Sequence, residues 1–229
     1  MTPHAVVLDL DGTLTDPRPG IVRCIRHALE RLARPCPSED ALAACIGPPL
    51  RATFGALLAT ADPRLIERAM GIYRERFAEV GLYENGVYEG IPAVLAELRA
   101  QGRRLFVATA KPRVFAERIV RHFALDRYFA GVYGPDLDGH LDEKSDLLAH
   151  LLASEKLEAA GVVMVGDRYT DVAAARTHGL RSIGALWGYG TRAELTEAGA
   201  DALCATPAEL PAGVARLLAA RGGPRQPGS

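Results

Sequence analysis

The chain has 229 residues, 48% of them hydrophobic, which is enough to bury roughly 70% of the unfolded surface without disulfide or metal staples. With 27 basic and 28 acidic side chains the formal net charge is −1, so no field favours a nucleic-acid polymer, and no apolar run approaches the roughly 18 residues of a membrane span. The four cysteines, Cys24, Cys36, Cys45 and Cys204, show neither a CxxC pair nor zinc-like spacing with histidine; read as buried or half-buried free thiols, they fit a reducing cytoplasm, as does the lack of a signal peptide before the first strand.

Ala5-Val6-Val7-Leu8 is an apolar run that reads as a central strand of a parallel sheet. It ends in Asp9-Leu10-Asp11-Gly12-Thr13-Leu14-Thr15, two carboxylates one residue apart; taken alone, the Asp-Gly pair reads as a turn closing the strand. The period then changes. Ile21, Ile25, Ala28, Leu29 and Leu32 share one face of an amphipathic helix, with Arg23, Arg26, Glu30 and Arg31 between them. A short helical piece from Asp40 to Cys45 breaks at Gly47-Pro48-Pro49, and another runs from Leu50 to Ala59. Asp62-Pro63 reads as an N-cap with proline in the first turn, opening a long helix through Leu65, Ala69, Ile72, Phe77 and Val80. Nothing between Thr15 and Glu84 reads as a strand, so this block is expected to be an all-helical insert.

From Val87 an α/β rhythm returns. A helix over Ile91 to Gln101 ends at Gly102, and Leu105-Phe106-Val107-Ala108 is a second buried strand stopping at Thr109-Ala110-Lys111-Pro112. The helix from Val114 to Phe123 leads to a third strand near Gly131-Val132-Tyr133. A helix beginning near Asp142 carries Lys144 in its first turn. Val162-Val163-Met164-Val165 is a fourth strand, ended by Gly166-Asp167-Arg168-Tyr169-Thr170-Asp171 and a helix through Val172, Ala175 and His178. Arg181 to Ala185 and Ala202 to Ala205 are further short strands. The tail from Arg221 to Ser229 has the composition of a disordered segment.

Asp9, Thr109 and Asp167 each fall at the carboxyl end of an apolar strand. Right-handed β-helix-β crossovers place those ends on one rim of one sheet, the edge at which open α/β sheets bind ligands. Asp171 follows Asp167 by one helical turn, and Lys144 starts a helix that also reaches the rim. Two carboxylates about 4 Å apart repel by roughly 4 kcal/mol at an effective dielectric near 20, so a cluster of Asp9, Asp11, Asp167 and Asp171 calls for protons or a bound cation. All-oxygen ligands favour a hard ion, Mg²⁺ best of all, and the Thr109 hydroxyl with Lys144 makes an adjoining anion site. Together these point to phosphoryl transfer.

The order DLDGT, then a threonine after the second strand, then a lysine, then GDRYTD resembles the haloacid dehalogenase superfamily, over nearly the whole chain. The resemblance implies a Rossmann-like core from residues 1–15 and 86–220 with a helical cap from 16–85. The position of that cap is similar to the branch of phosphoglycolate phosphatases, β-phosphoglucomutases and small 5'-nucleotidase-like enzymes, and the stretches at Ala108–Pro112, Tyr133–Gly139 and Gly188–Gly190 are most similar to its nucleotidase-like subgroup. Carried over by position, it implies Asp9 as nucleophile, forming an aspartyl-phosphate, and Asp11 as general acid and then base. It further implies Mg²⁺ held by the side chains of Asp9 and Asp167 and the backbone carbonyl of Asp11, with Asp171 as an outer-shell carboxylate. Thr109, the amide of Ala110 and Lys144 would bind the phosphoryl oxygens. Thr15 and Asp16 would mark the cap hinge and Glu84 to Gly90 the return strap. The partner implied is a small phosphorylated metabolite, for a monomer or homodimer.

Arg51 reads equally as a clamp for a second anionic group and as a solvated helix residue. Lys111 and Arg113 read as surface charges, Arg168 as variable, and Trp187 as packing against the sheet edge. A second DLDG, at Asp136 to Gly139, reads as a structural loop. Among other chemistries, a dehalogenase would lack Asp11, and a phosphonatase would need a cap lysine where none occurs from Thr15 to Glu84. A sugar-phosphate mutase and a catalytically silent phosphate-binding protein remain as alternatives. A phospho-accepting receiver does not, because its carboxylates come from other strands.

Overall fold

A computed structural model describes residues 4–219. Six parallel strands form the main sheet: β1 (Ala5–Leu8), β4 (Arg104–Ala108), β5 (Gly131–Tyr133), β6 (Val162–Gly166), β7 (Arg181–Ala185) and β8 (Ala202–Cys204), in the order β5-β4-β1-β6-β7-β8. Between β1 and β4 in the chain lie β2 (Thr15–Asp16) and β3 (Gly86–Val87), which pair only with each other. The strand β1 is buried along its whole length on both faces, which is why it carries four consecutive apolar residues rather than an alternation.

The two faces are nonetheless distinct. Val6, Leu8, Leu105, Val107, Val163 and Val165 join one apolar cluster, whereas Ala5, Val7, Phe106, Ala108, Val162 and Met164 join the other, as the two-residue period of a strand requires. Helices α7 (Lys144–Glu155) and α8 (Tyr169–Thr177) cover the second face with Leu147, Leu148, Leu151, Ala174 and Ala175. The first face is covered by α5 (Ile91–Ala100), α6 (Arg113–His122) and α10 (Leu210–Ala219), while Leu195 of α9 (Arg192–Glu197) lies against Gly184 of β7. Leu8 pairs with Val107 on one side and Val165 on the other, so the carboxyl ends of β1, β4 and β6 lie level.

The segment between β2 and β3 is wholly helical: α1 (Arg18–Arg31), α2 (Glu39–Ala43), α3 (Leu50–Leu57) and α4 (Pro63–Arg76), continued by one π-helical turn over Phe77–Gly81. Asp62 caps α4 by accepting from the amide of Arg64 at 3.0 Å, and Ser38 caps α2 by accepting from Ala41. The helix α1 lies against the π-helical turn so tightly that a Cβ at Gly20 would meet the Gly81 carbonyl at 2.1 Å. A side chain at residue 20 would therefore push the two helices apart.

Three sequence expectations are corrected here. The sequence pattern predicts a regular helix through Val80, but its last turn is π-helical, closed by the Leu82 amide donating to the Phe77 carbonyl at 2.8 Å, with both side chains buried. Thr15 and Asp16, together with Gly86 and Val87, form a two-residue ribbon, too short to leave a period in the sequence. Cys36 is exposed, whereas Cys24 and Cys204 are buried and Cys45 is half-buried. The tail from residue 221 onward lies outside the described residues. Among those that are described, no helix is long and apolar enough to cross a membrane.

Candidate functional site

The first loop after β1 turns sharply. The amides of Thr13, Leu14 and Thr15 all point back to the Leu10 carbonyl, and Gly12 sits at φ +85°. A Cβ there would meet Asp167 Oδ2 at 2.2 Å, so only glycine lets this loop pass the end of β6. Asp9 is anchored in the sheet, its amide donating to the Val165 carbonyl at 2.9 Å. Its side chain is 10% exposed.

Lys144, in the first turn of α7, places Nζ 2.8 Å from Asp9 Oδ1 and 2.8 Å from Asp171 Oδ1. Asp167 accepts from the Thr13 hydroxyl at 3.2 Å and from the Tyr189 amide at 2.8 Å. One oxygen each of Asp9, Asp167 and Asp171 lies within 4.8 Å of the others. Burial and then the charges of Asp9 and Asp171 push the Asp167 carboxyl up to about 8; burial, offset in part by Lys144, pushes Asp171 up to about 6. One ammonium among three converging carboxylates leaves excess negative charge. A hard divalent cation with oxygen ligands, such as Mg²⁺, fits that donor set.

These shifts set a pH dependence. Asp167 is neutral-favouring in the fold, with its pKa raised from 3.8 to about 8, so its contribution to stability is full at acid pH and is lost as pH rises through about 8. Metal binding needs the ionised form. The gain in melting temperature from saturating Mg²⁺ is therefore expected to be larger at about pH 9 than at about pH 6. Thermal melts with and without Mg²⁺ at the two pH values would show it, and an equal gain at both would be the contrary result.

Thr109 follows β4 directly, is 1% exposed, and accepts from the Lys111 amide at 3.2 Å, which leaves its hydroxyl proton free to donate. Asp9, Thr109, Ala110 and Lys144 all border one cavity of about 290 Å³, whose opposite wall is built by the helical insert through Gly47, Arg51, Tyr73 and Phe77. The expected rim residues are thus brought together. Arg51 borders the same cavity but is paired with Glu67 and half exposed, with no bond to the carboxylate cluster. Asp136, of the second DLDG, takes part in a turn closed by the Gly139 amide and lies 3.9 Å from Arg113.

Other residues differ from their sequence reading. Lys111 is no surface charge: its side chain is 6% exposed and its Nζ lies 2.7 Å from Asp11 Oδ2. Arg168 crosses from the N-terminus of α8 to donate to the Ile46 carbonyl of the insert at 2.6 Å, while pairing with Glu194 at 2.9 Å. Its own amide donates to Asp171 Oδ2 at 3.2 Å. Trp187 donates its indole N–H to the Thr13 carbonyl at 3.0 Å, and Tyr189 donates its hydroxyl to Asp16. The only signal in the sequence for the last three was their nearness to glycine-rich strand ends.

A family model described as haloacid dehalogenase-like hydrolase matches residues 6–185. The chain belongs to that family. Within and around it, a 5'-nucleotidase of Pseudomonas aeruginosa is 47% identical over 190 residues, covering 83% of this chain and 86% of the relative. A protein of Mycobacterium tuberculosis named tyrosine-protein kinase PtkA is 41% identical over 189 residues; the match covers 82% of this chain and 64% of that relative. Among solved structures, a predicted phosphatase from Clostridium acetobutylicum superposes with a TM-score of 0.89 at 35% identity, covering 94% of this chain and all of the other. The haloacid dehalogenase-like match begins at Val6 in β1 and ends at Ala185 in β7, so it spans all four strand ends and helix starts that build the carboxylate cluster.

Proposed function

We propose that this chain is a Mg²⁺-dependent phosphatase of small phosphorylated metabolites that works through an aspartyl-phosphate on Asp9. Its membership of the haloacid dehalogenase-like phosphatases rests on the family match and on relatives and neighbours named for phosphate-ester hydrolysis. The observation that carries the finer reading is the buried cluster of Asp9, Asp167 and Asp171 with Lys144 bridging two of them at 2.8 Å, beside the Thr109 hydroxyl. The resemblance of the nearest motifs favours a nucleoside 5'-monophosphate or a phosphoglycolate-like ester as substrate.

In this reading the side chains of Asp9 and Asp167 and the Asp11 carbonyl would hold Mg²⁺, with Asp171 supporting them, and the ion would supply positive charge to offset that of the phosphoryl group. Thr109, the Ala110 amide and Lys144 bind and orient the phosphoryl group. The carboxylate of Asp9 forms a bond to phosphorus as the bond to the leaving oxygen breaks, and Asp11 gives that oxygen its proton, so a neutral alcohol departs. Asp11 then takes a proton from water as the water oxygen bonds to phosphorus. Inorganic phosphate leaves and Asp9 returns as carboxylate. The helical insert closes the cavity and keeps bulk water out until substrate is seated.

Release of inorganic phosphate from a panel of nucleoside monophosphates, phosphoglycolate and sugar phosphates, with Mg²⁺ present, tests this. Turnover of at least one member with stoichiometric phosphate release is expected. Isomerised sugar phosphate without phosphate release would mean a mutase, and binding without turnover across the panel would mean a silent binder.

A further inference from the structure

We infer that Lys111 is the residue that positions Asp11 for proton transfer, and that the helical insert holds Lys111 in place through Phe77; this rests on the phosphatase reading above. Lys111 lies two residues after Thr109, on the loop leaving β4. Its amide is tied to the Thr109 hydroxyl at 3.2 Å, which bends the loop back toward the rim. The ammonium then reaches Asp11 Oδ2 at 2.7 Å, with the lysine side chain 6% exposed. A near-buried cation is costly to keep for stability alone, so its placement on the proposed acid-base residue points to chemistry.

The two oxygens of Asp11 become unequal. Oδ2 is occupied by Lys111, whereas Oδ1 is buried with no hydrogen-bond partner among the described residues. Fixing Oδ2 fixes the rotamer and leaves Oδ1 as the oxygen that carries the proton. In the first half of the reaction the Oδ1–H bond breaks as the leaving oxygen gains the proton and phosphorus passes to Asp9. In the second half the proton of the attacking water returns to Oδ1 as the bond from phosphorus to Asp9 breaks.

The other wall around the ammonium belongs to the insert. Lys111 Nζ sits 4.6 Å from the centroid of the Phe77 ring, over its face. Phe77 opens the π-helical turn, stacks on Tyr73 with centroids 5.4 Å apart, and meets Phe115 of α6 edge-on at 5.4 Å. Phe77 continues the α-helical register of α4, its amide reaching the Tyr73 carbonyl, and the π-helical turn departs from it, so the end of the insert's long helix carries the ring over the ammonium. Seating of the insert thereby reaches the acid-base residue through a single aromatic ring.

The test compares kcat/KM on p-nitrophenyl phosphate, whose leaving group departs without a proton, with kcat/KM on an alkyl phosphomonoester that the wild type hydrolyses. This ratio reports the steps up to cleavage of the ester bond and so isolates the acid role. Lys111→Met is expected to lower kcat/KM on the alkyl ester about 10- to 100-fold more than on the aryl ester, through kcat rather than KM. Lys111→Arg, which keeps a cation, should restore most of the ratio, and Phe77→Leu should shift it the same way by less. An equal loss on both esters, with or without a lower melting temperature, would make Lys111 merely structural and overturn the inference. A raised KM with kcat kept would make it a substrate ligand, and an unchanged ratio would also overturn it. Failure of the phosphatase reading looks different: the wild type would release phosphate from neither ester.

Discussion

Asp9→Asn is expected to reduce phosphate release by at least about 10⁴-fold while leaving the fold intact, because the carboxamide keeps the shape of the side chain but has no anionic oxygen to bond phosphorus. Stability should not suffer. Asp9 is one of three carboxylates whose oxygens gather within 4.8 Å, so removing its charge relieves repulsion in the metal-free protein and costs only part of its bond to Lys144. The main chain is untouched, and the amide of residue 9 still donates to Val165. Steady-state phosphate release paired with a thermal melt would measure both effects. Turnover within about 10²-fold of the wild type, in a folded variant, would remove Asp9 from the nucleophile's role.

Lys144→Met is expected to damage both activity and stability. Burial works against the charge of this ammonium, but the carboxylates of Asp171 and Asp9 outweigh it and raise the pKa, so the cation is present throughout the neutral range and its stabilising contribution fades only in strong alkali. The side chain is 9% exposed and bridges two carboxylates. Removing one partner of a buried ion pair costs about 3–5 kcal/mol because the charges left behind are uncompensated. Phosphate release should also fall by about 10²-fold or more, since the same ammonium is proposed to bind the phosphoryl oxygens. Urea unfolding of the metal-free variant would read the first effect. Because the cluster is then more negative, Mg²⁺ should recover more stability in Lys144→Met than in the wild type. A variant as stable as the wild type without metal would show that Asp9 and Asp171 do not depend on the ammonium.

Much of this was visible in the chain alone, for identifiable reasons. A strand buried on both faces writes itself as an apolar run, and the parallel order that follows from helical crossovers puts Asp9, Thr109 and Asp167 at level strand ends. Asp171 and Lys144 could be placed because helical periodicity is local. The contacts that escaped are those between distant segments. Lys111 read as a surface charge because nothing adjacent to it announces that Phe77, at the end of α4, will arrive over its ammonium or that Asp11 will accept from it. Arg168 likewise reaches a carbonyl 122 positions away. Trp187 reads as packing and Tyr189 carries no role of its own in the sequence, yet Trp187 bonds the loop after Asp9 and Tyr189 bonds Asp16 of β2, since an aromatic ring with a polar tip can both pack and donate.

The short ribbon of β2 and β3 has a meaning for how such a protein can change over generations. The chain leaves the core at Thr15 and comes back at Val87, and these two residues are register partners on adjacent strands, a spacing of roughly 4.8 Å. Any folded segment whose ends lie that close together can be spliced into the same doorway without disturbing the register of the main sheet. The carboxylates and the lysine can then be inherited unaltered while a different helical cassette is tried above them. Diversification of what is accepted need not reopen the question of how phosphorus is handled.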